Sequence, residues 1–165
     1  MTCFCRLVTR AQDNYCNKLY LHLPTKSEEA THEMLTPCEV AVKIALPSVR
    51  AMVANELMNK HSLNQAEAAK LLGISQPAVS LYQQKLRGNS LNLYGDPEIT
   101  ALVTKHADFL VNGNLSHMDK LSSFCGICRT IRSKGYLCSI HKAFDPTFDI
   151  ESCNFCQTTG TFACP

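Results

Sequence analysis

No run of about 18 apolar residues occurs in the 165-residue chain, so its pattern contains no membrane span. The first residues likewise lack the uninterrupted apolar segment of a secretory signal, and cytoplasm is the expected compartment. Net charge is only +2, too little for bulk attraction to argue a nucleic-acid partner, so the placement of charge must carry that point. No constellation of carboxylates, of serine and histidine, or of phosphate-cradling glycines is found. Neither an enzyme nor a small-molecule substrate is therefore expected. What is plentiful is apolar content, 45% of residues, enough for one core of ordinary size or two small ones. Ten cysteines without a secretory signal point away from a disulfide framework and toward metal or thiol chemistry in a reducing compartment.

The most informative stretch is residues 65–84, QAEAAKLLGISQPAVSLYQQ. Two short helices that cross steeply need a small side chain at their contact, and Ala69 supplies it. Gly73 falls where the first helix must stop and the backbone turn through a positive φ. Ala68, Leu72, Ile74, Val79 and Tyr82 then take the inward faces, with Ser75 expected to cap the second helix and Pro77 in its first turn. This pattern predicts a helix-turn-helix. Gln76, Ser80, Gln83 and Gln84 fall on the outward face of the second helix, which is expected to run to about Leu86 and stop at Arg87-Gly88.

With Gln65 opening the first helix, Ala69 at the contact, Gly73 in the turn and Gln76 starting the second helix, the stretch resembles helix-turn-helix domains of the phage repressor and Cro type (XRE-like). More narrowly, TPCEVAVKIALPSVRAMVANEL before it and CGICRTIRSKGYLCSIH after it are similar to archaeal predicted transcriptional regulators, over about residues 34–142. The resemblance implies a second helix in the DNA major groove, its first residues on base edges, with Gln65 bracing a phosphate and Gln76. Gln76 would read adenine, whose N6 and N7 an amide pairs bidentately. Gln76, Ser80 and Gln83 are expected near bases, with Ser75 and Gln84 alongside, and Gln65, Lys85 and Arg87 on phosphates. Residues 37–95 hold six basic and three acidic side chains, so the basic part of the chain is also this part. The alternative for the glutamine face is a solvated polar surface.

Around this stretch the chain divides into an uncertain leader (1–33), the helix-turn-helix domain (34–95), a linking or dimerisation helix (96–116) and a cysteine-rich module (117–165). The leader carries Cys3, Cys5 and Cys16; either translation truly starts at Met34 or the leader is genuine. Thr36-Pro37-Cys38-Glu39 has the form of a capping box with proline at the first helical position. Cys38 reads as a small capping-turn or buried residue rather than a ligand. Pro47 should bend or split the helix that follows, after which Val49, Ala51, Met52, Val53, Ala54 and Leu57 trace an apolar stripe. Ser62 or Asn64 caps the next helix. Asn89 to Gly95 reads as a linker, and Asp96-Pro97 opens a helix that ends near Gly113 with Ile99, Leu102, Val103, His106 and Leu110 inward. His106 is expected in the core or a dimer seam.

The second chemical signal lies between His117 and His141. Cys125 and Cys128, then Cys138 and His141, form C-x-x-C and C-x-x-H pairs that suit a tetrahedral site, with a turn at Gly135 to bring them together. Cys153 and Cys156 make a further pair and Cys164 stands alone. Zinc fits three cysteines and a histidine; an iron–sulfur cluster on Cys125, Cys128, Cys138 and Cys153 or Cys156 is the alternative. Free or buried thiols are the plainer reading. Arg129, Arg132, Lys134 and Lys142 surround this site with no acidic neighbour in sequence, and positive charge stabilises thiolates.

The expected architecture is all-α: a helical bundle with a helix-turn-helix, then a small cysteine-rich metal-binding module. The expected function is a homodimeric, sequence-specific transcriptional regulator on double-stranded DNA. A transcription adaptor that reads no DNA is the alternative. A thiol-disulfide oxidoreductase using Cys125 and Cys128 is disfavoured, because no strand-rich pattern precedes that pair.

Overall fold

Sequence signals for helix starts open most of the helices of the fold. The computed structural model describes residues 36–113, 116–147 and 149–158, all within one compact unit, Met34–Pro165. Among them every regular element is helical. The leader with Cys3, Cys5 and Cys16, together with Cys164, lies outside the described residues.

Helix α1 (Pro37–Val40) begins at Thr36, whose hydroxyl and the Glu39 carboxylate close the expected capping box. Pro47 neither splits nor ends the helical run. Instead a π-helical turn, Ala41–Ala45, precedes α2 (Leu46–Asn59), and Leu46 N–H reaches back to Ala41 O. A proline in a tight α-turn removes one backbone donor and crowds the carbonyl four residues earlier; widening the turn makes room for the ring. Buried Ser48 donates its hydroxyl to Ile44 O at 3.0 Å, satisfying a carbonyl in the disturbed turn.

Helix α2 is the centre of the molecule. The expected stripe Val49, Ala51, Met52, Val53, Ala54 and Leu57 is buried throughout. Helix α3 (Gln65–Leu72) and α4 (Gln76–Gln83) pack on each other and on α2 through Ala68, Ala69, Val79 and Tyr82, with Leu72 and Ile74 half-buried against the same core. Asn64, not Ser62, caps α3, in a second capping box with Glu67.

The segment expected as a linker is pinned rather than free. Leu93 is fully buried, and Asn55 donates to the Tyr94 hydroxyl at 2.9 Å. Gly88 lies so close to α2 that an added Cβ would stand 2.6 Å from Pro47 O and 2.7 Å from Ala51 Cβ.

Asp96 caps α5 (Pro97–Asn112), which ends at Gly113 with φ 68°. Ile99, Val103, His106 and Leu110 are buried in it as expected, and Leu102 is half-buried. Helix α6 (His117–Ser133) packs along α5 and also touches α2, so Ile127 and Ile131, both fully buried, belong to the same core as α2. Helices α7 (Cys138–Phe144) and α8 (Phe155–Thr158) complete the described chain. Among the described residues no helix is long and apolar enough to cross a membrane.

Candidate functional site

The turn between α3 and α4 is built by glycine. Gly73 has φ 65° and ψ 33°, its N–H bonds Lys70 O, and Ile74 N–H bonds Ala69 O at 3.0 Å. This pair of bonds is a Schellman closure, which satisfies carbonyls left over at the helix end. Nothing stands within 4 Å of an added Cβ at Gly73; glycine is needed there for backbone conformation alone.

Ser75 occupies the cap position of α4 with extended dihedrals, yet its side chain makes no capping hydrogen bond. Its carbonyl accepts from Ala78 and Val79 N–H, so the expected role falls to the backbone and the half-buried hydroxyl is not committed to a cap. Helix α4 also ends earlier than the sequence suggested. It stops at Gln83, because Lys85 takes a left-handed φ of 57° and closes a second Schellman pair, Lys85 N–H to Tyr82 O and Leu86 N–H to Leu81 O. A left-handed lysine costs about 1 kcal/mol relative to glycine.

The outward face of the pair is polar and partly pre-tied. Gln65 is half-buried and accepts from the Gln76 side-chain amide, while its own amide donates to Gln83 Oε1 at 2.6 Å. Gln84 donates to Ser80 Oγ at 3.0 Å. Gln76, Gln83, Gln84 and Lys85 are exposed, and Ser80 is half-buried. The Arg87 guanidinium sits 5.7 Å from the Tyr82 ring centroid, a cation–π contact that holds it near the end of α4.

The described cysteines lie on several elements. On α6, Cys125 is exposed and Cys128 half-buried, and burial pushes the Cys128 thiol above its usual range. Cys138 and His141 line a small cavity with Cys153, Cys156, Arg132 and Pro37. His141 is buried, and burial also raises the Cys138 thiol. Cys138 follows the Gly135 turn, where φ is 75° and the Cys138 sulfur is 3.7 Å from an added Cβ. Among the described residues no three His, Cys, Asp or Glu side chains stand together as a ready metal-ligand set. The expected ligands Cys125 and Cys128 thus lie on α6, and Cys138 and His141 on α7 beside the tail pair.

Two features here were hidden from the sequence. Lys134, expected among the basic groups near the thiols, has acidic neighbours brought by the fold: its Nζ lies 2.7 Å from both Asp96 Oδ2 and Glu98 Oε2. Tyr136 also donates to Asp96 at 2.9 Å. The Lys134 hydrogen bond, with the capping N–H of Ile99 and the Tyr136 hydroxyl, holds the Asp96 carboxyl down to about 2 against the burial that would raise it. Lys134 is in turn pushed up to about 12 by Asp96 and Glu98. The other feature is Cys38. Arg132 Nη1 points at its sulfur from 3.7 Å, linking α6 to the first turn of α1.

His106 is buried beside Phe124, ring centroids 5.5 Å apart, with Nδ1 3.1 Å from Ser123 Oγ, and desolvation lowers its pKa. Compared with known protein families, with curated proteins and with solved structures, the chain matches none of them.

Proposed function

We propose that the protein is a sequence-specific DNA-binding transcriptional regulator in which α3 and α4 act as a helix-turn-helix of the phage repressor and Cro kind. The observation that supports this reading is the exposed amide face of α4, with Gln65 of α3 hydrogen-bonded to both Gln76 and Gln83. Amides held at fixed positions on the exposed face of a short helix suit base edges, and a bidentate pair contributes about 1–3 kcal/mol of discrimination. Gln76, Ser80 and Gln83 would read bases; Gln65, Lys85 and Arg87 would position the backbone. One such unit reads a few base pairs, so the active form is a homodimer on a near-palindromic site.

The C-terminal thiols, in this reading, hold a metal. Cysteine-rich donors with one imidazole are soft ligands suited to zinc, the preferred metal, or to an iron–sulfur cluster. Cys125, Cys128, Cys138 and His141, with Cys153 and Cys156 close to the second pair, are the candidate ligands. A bound zinc would supply folding free energy on the order of 10 kcal/mol to a part of the chain with few buried side chains.

Selection from a random duplex pool, followed by titration of the recovered sequence and of random DNA over a range of salt, tests the reading. A regulator shows affinity falling steeply with salt together with a retained preference for the selected sequence. An adaptor shows neither, and that result would remove the DNA-reading role.

A further inference from the structure

The apolar stripe of α5, with His106, is spent on this chain's own core, so a partner can meet that helix only on its opposite face. There Ala101, Lys105, Asp108 and Asn112 follow one another at helical spacing and, with Phe109 and the Tyr94 ring, line an open groove of about 660 Å³. Ala101, Lys105 and Asn112 are exposed, and Tyr94 is 59% exposed. Tyr94 is nevertheless held in place, because its hydroxyl accepts from Asn55 at 2.9 Å. An exposed ring whose position is already fixed loses little freedom when another surface packs on it. None of these residues belongs to the amide face of α4, so the groove and the reading face are separate surfaces.

Charge along the groove changes sign within one helical turn. The Lys105 ammonium stands 5.5 Å from the Phe109 ring centroid, and no carboxylate pairs with it among the described residues. Lys60 bonds both oxygens of Asp108, and His61 adds a bond to Oδ1. A carboxylate offers about four acceptor sites, so Oδ2, with one donor, has room for another. An unpaired cation and an under-filled carboxylate one turn apart make the surface self-complementary: inverted upon a second copy, each charge meets its opposite.

We propose that this groove receives α5 of a second copy of the chain, antiparallel about a two-fold axis, and that the pair assembles on DNA rather than before it. The proposal rests on the DNA-reading function above and names the seam of its homodimer. With the axis level with the His106–Ala107 step, Lys105 of each copy meets the partner's Asp108, Phe109 meets the partner's Thr104, and Asn112 meets the partner's Ala101. Each large side chain then faces a smaller or oppositely charged one, and Ala101 lets the two helices approach closely. A 16-residue helix is about 24 Å long, and one face of it buries on the order of 500 Å² over both copies, below the roughly 1,200–2,000 Å² of stable interfaces. Such a contact is too small to hold two free chains together. Chains brought to adjacent half-sites by DNA meet at high effective concentration, where a weak contact suffices. Because α5 packs on α2 and α3, the seam fixes the spacing of the two reading pairs.

The test uses the full chain, the selected duplex and a duplex carrying one half-site. Sedimentation without DNA gives the free oligomeric state, and titration of each duplex gives the half-site affinity and the cooperativity of the second copy. The wild type should be a monomer at micromolar concentration and should place its second copy at least about tenfold more tightly than its first. Ala101→Gln, which fills the groove, and Lys105→Glu, which sets a carboxylate against the partner's Asp108, should each reduce that factor to about twofold or less. Both positions are exposed, and cooperativity is read against each variant's own half-site affinity, so a general loss of folding or of DNA binding does not imitate loss of the seam. Wild-type cooperativity in either variant, a selected sequence without two-fold symmetry, a wild type that binds its second copy no more tightly than its first, or a stable dimer without DNA would overturn the proposal and leave DNA reading standing. A wild type with no preference for the selected duplex over random DNA would overturn both.

Discussion

The side-chain amide of Gln76 donates to the side-chain oxygen of Gln65, so the first residue of α4 is tied to the first residue of α3. Gln65 also reaches Gln83, the last residue of α4. One side chain thereby fixes two amides of the outward face. On the proposed function this ordering lowers the entropy lost when DNA is bound. Gln65→Ala should weaken binding to the selected sequence by about 0.5–1.5 kcal/mol, measured by fluorescence anisotropy, with unfolding free energy changed by less than about 0.5 kcal/mol.

Two glycines separate backbone strain from crowding. At Gly73 only the positive φ matters, because an added Cβ meets nothing. Gly73→Ala should cost about 1 kcal/mol. At Gly88, φ is 74° and the methyl would also collide with Pro47 O and Ala51 Cβ, so Gly88→Ala should cost a further 1–3 kcal/mol or about that through overpacking. Urea denaturation of both variants checks the order; equal costs would contradict the close approach of residue 88 to α2.

Lys85 combines a strained backbone with an expected phosphate contact. Lys85→Gly relieves the left-handed conformation and should raise stability by up to about 1 kcal/mol. The same change should lower the slope of log affinity against log salt by about 1. Calorimetry and salt titration read the two effects separately, and they should move in opposite directions.

Asp96 makes stability depend on acid. Its carboxyl is held at about 2 in the folded chain against an ordinary 3.8. The folded value is depressed, so this contribution is fully present above about pH 4 and is lost as pH falls through about 2. Asp96→Asn, which keeps a capping oxygen but not the charge, should be less stable than wild type at pH 6, with the difference shrinking between pH 4 and pH 2. Lys134 behaves in the opposite sense: its value is raised to about 12, so its contribution is present below the ordinary value of 10.5 and is lost as pH rises through 12. Urea titrations across these windows measure both.

Much of this architecture was legible because helix ends are encoded locally. Thr36 with Glu39, Asn64 with Glu67 and Asp96 before Pro97 each place an oxygen beside orphan N–H groups, and Gly73 marks a turn that few other residues accept. The stripes of α2 and α5 read equally well from spacing. The end of α4 did not, since a lysine gives no warning of a left-handed backbone. Nor could spacing show that Pro47 would be absorbed by a wider turn, that Ser75 would leave its cap unmade, or that Asp96 and Glu98 would take Lys134. Cys38 and Arg132 lie far apart in sequence and meet only through the packing of α6 near α1, so their relation required the fold. In the candidate site, the amide face was visible in the pattern, while the hydrogen bonds that order it depend on how α3 and α4 cross.

The most direct measurement is the affinity of wild type and Gln76→Ala for the selected duplex and for random DNA at one salt concentration. A groove-reading α4 predicts a loss of about 1–3 kcal/mol on the selected duplex and almost none on random DNA. The same loss on both, or no loss on either, would contradict base reading by this helix.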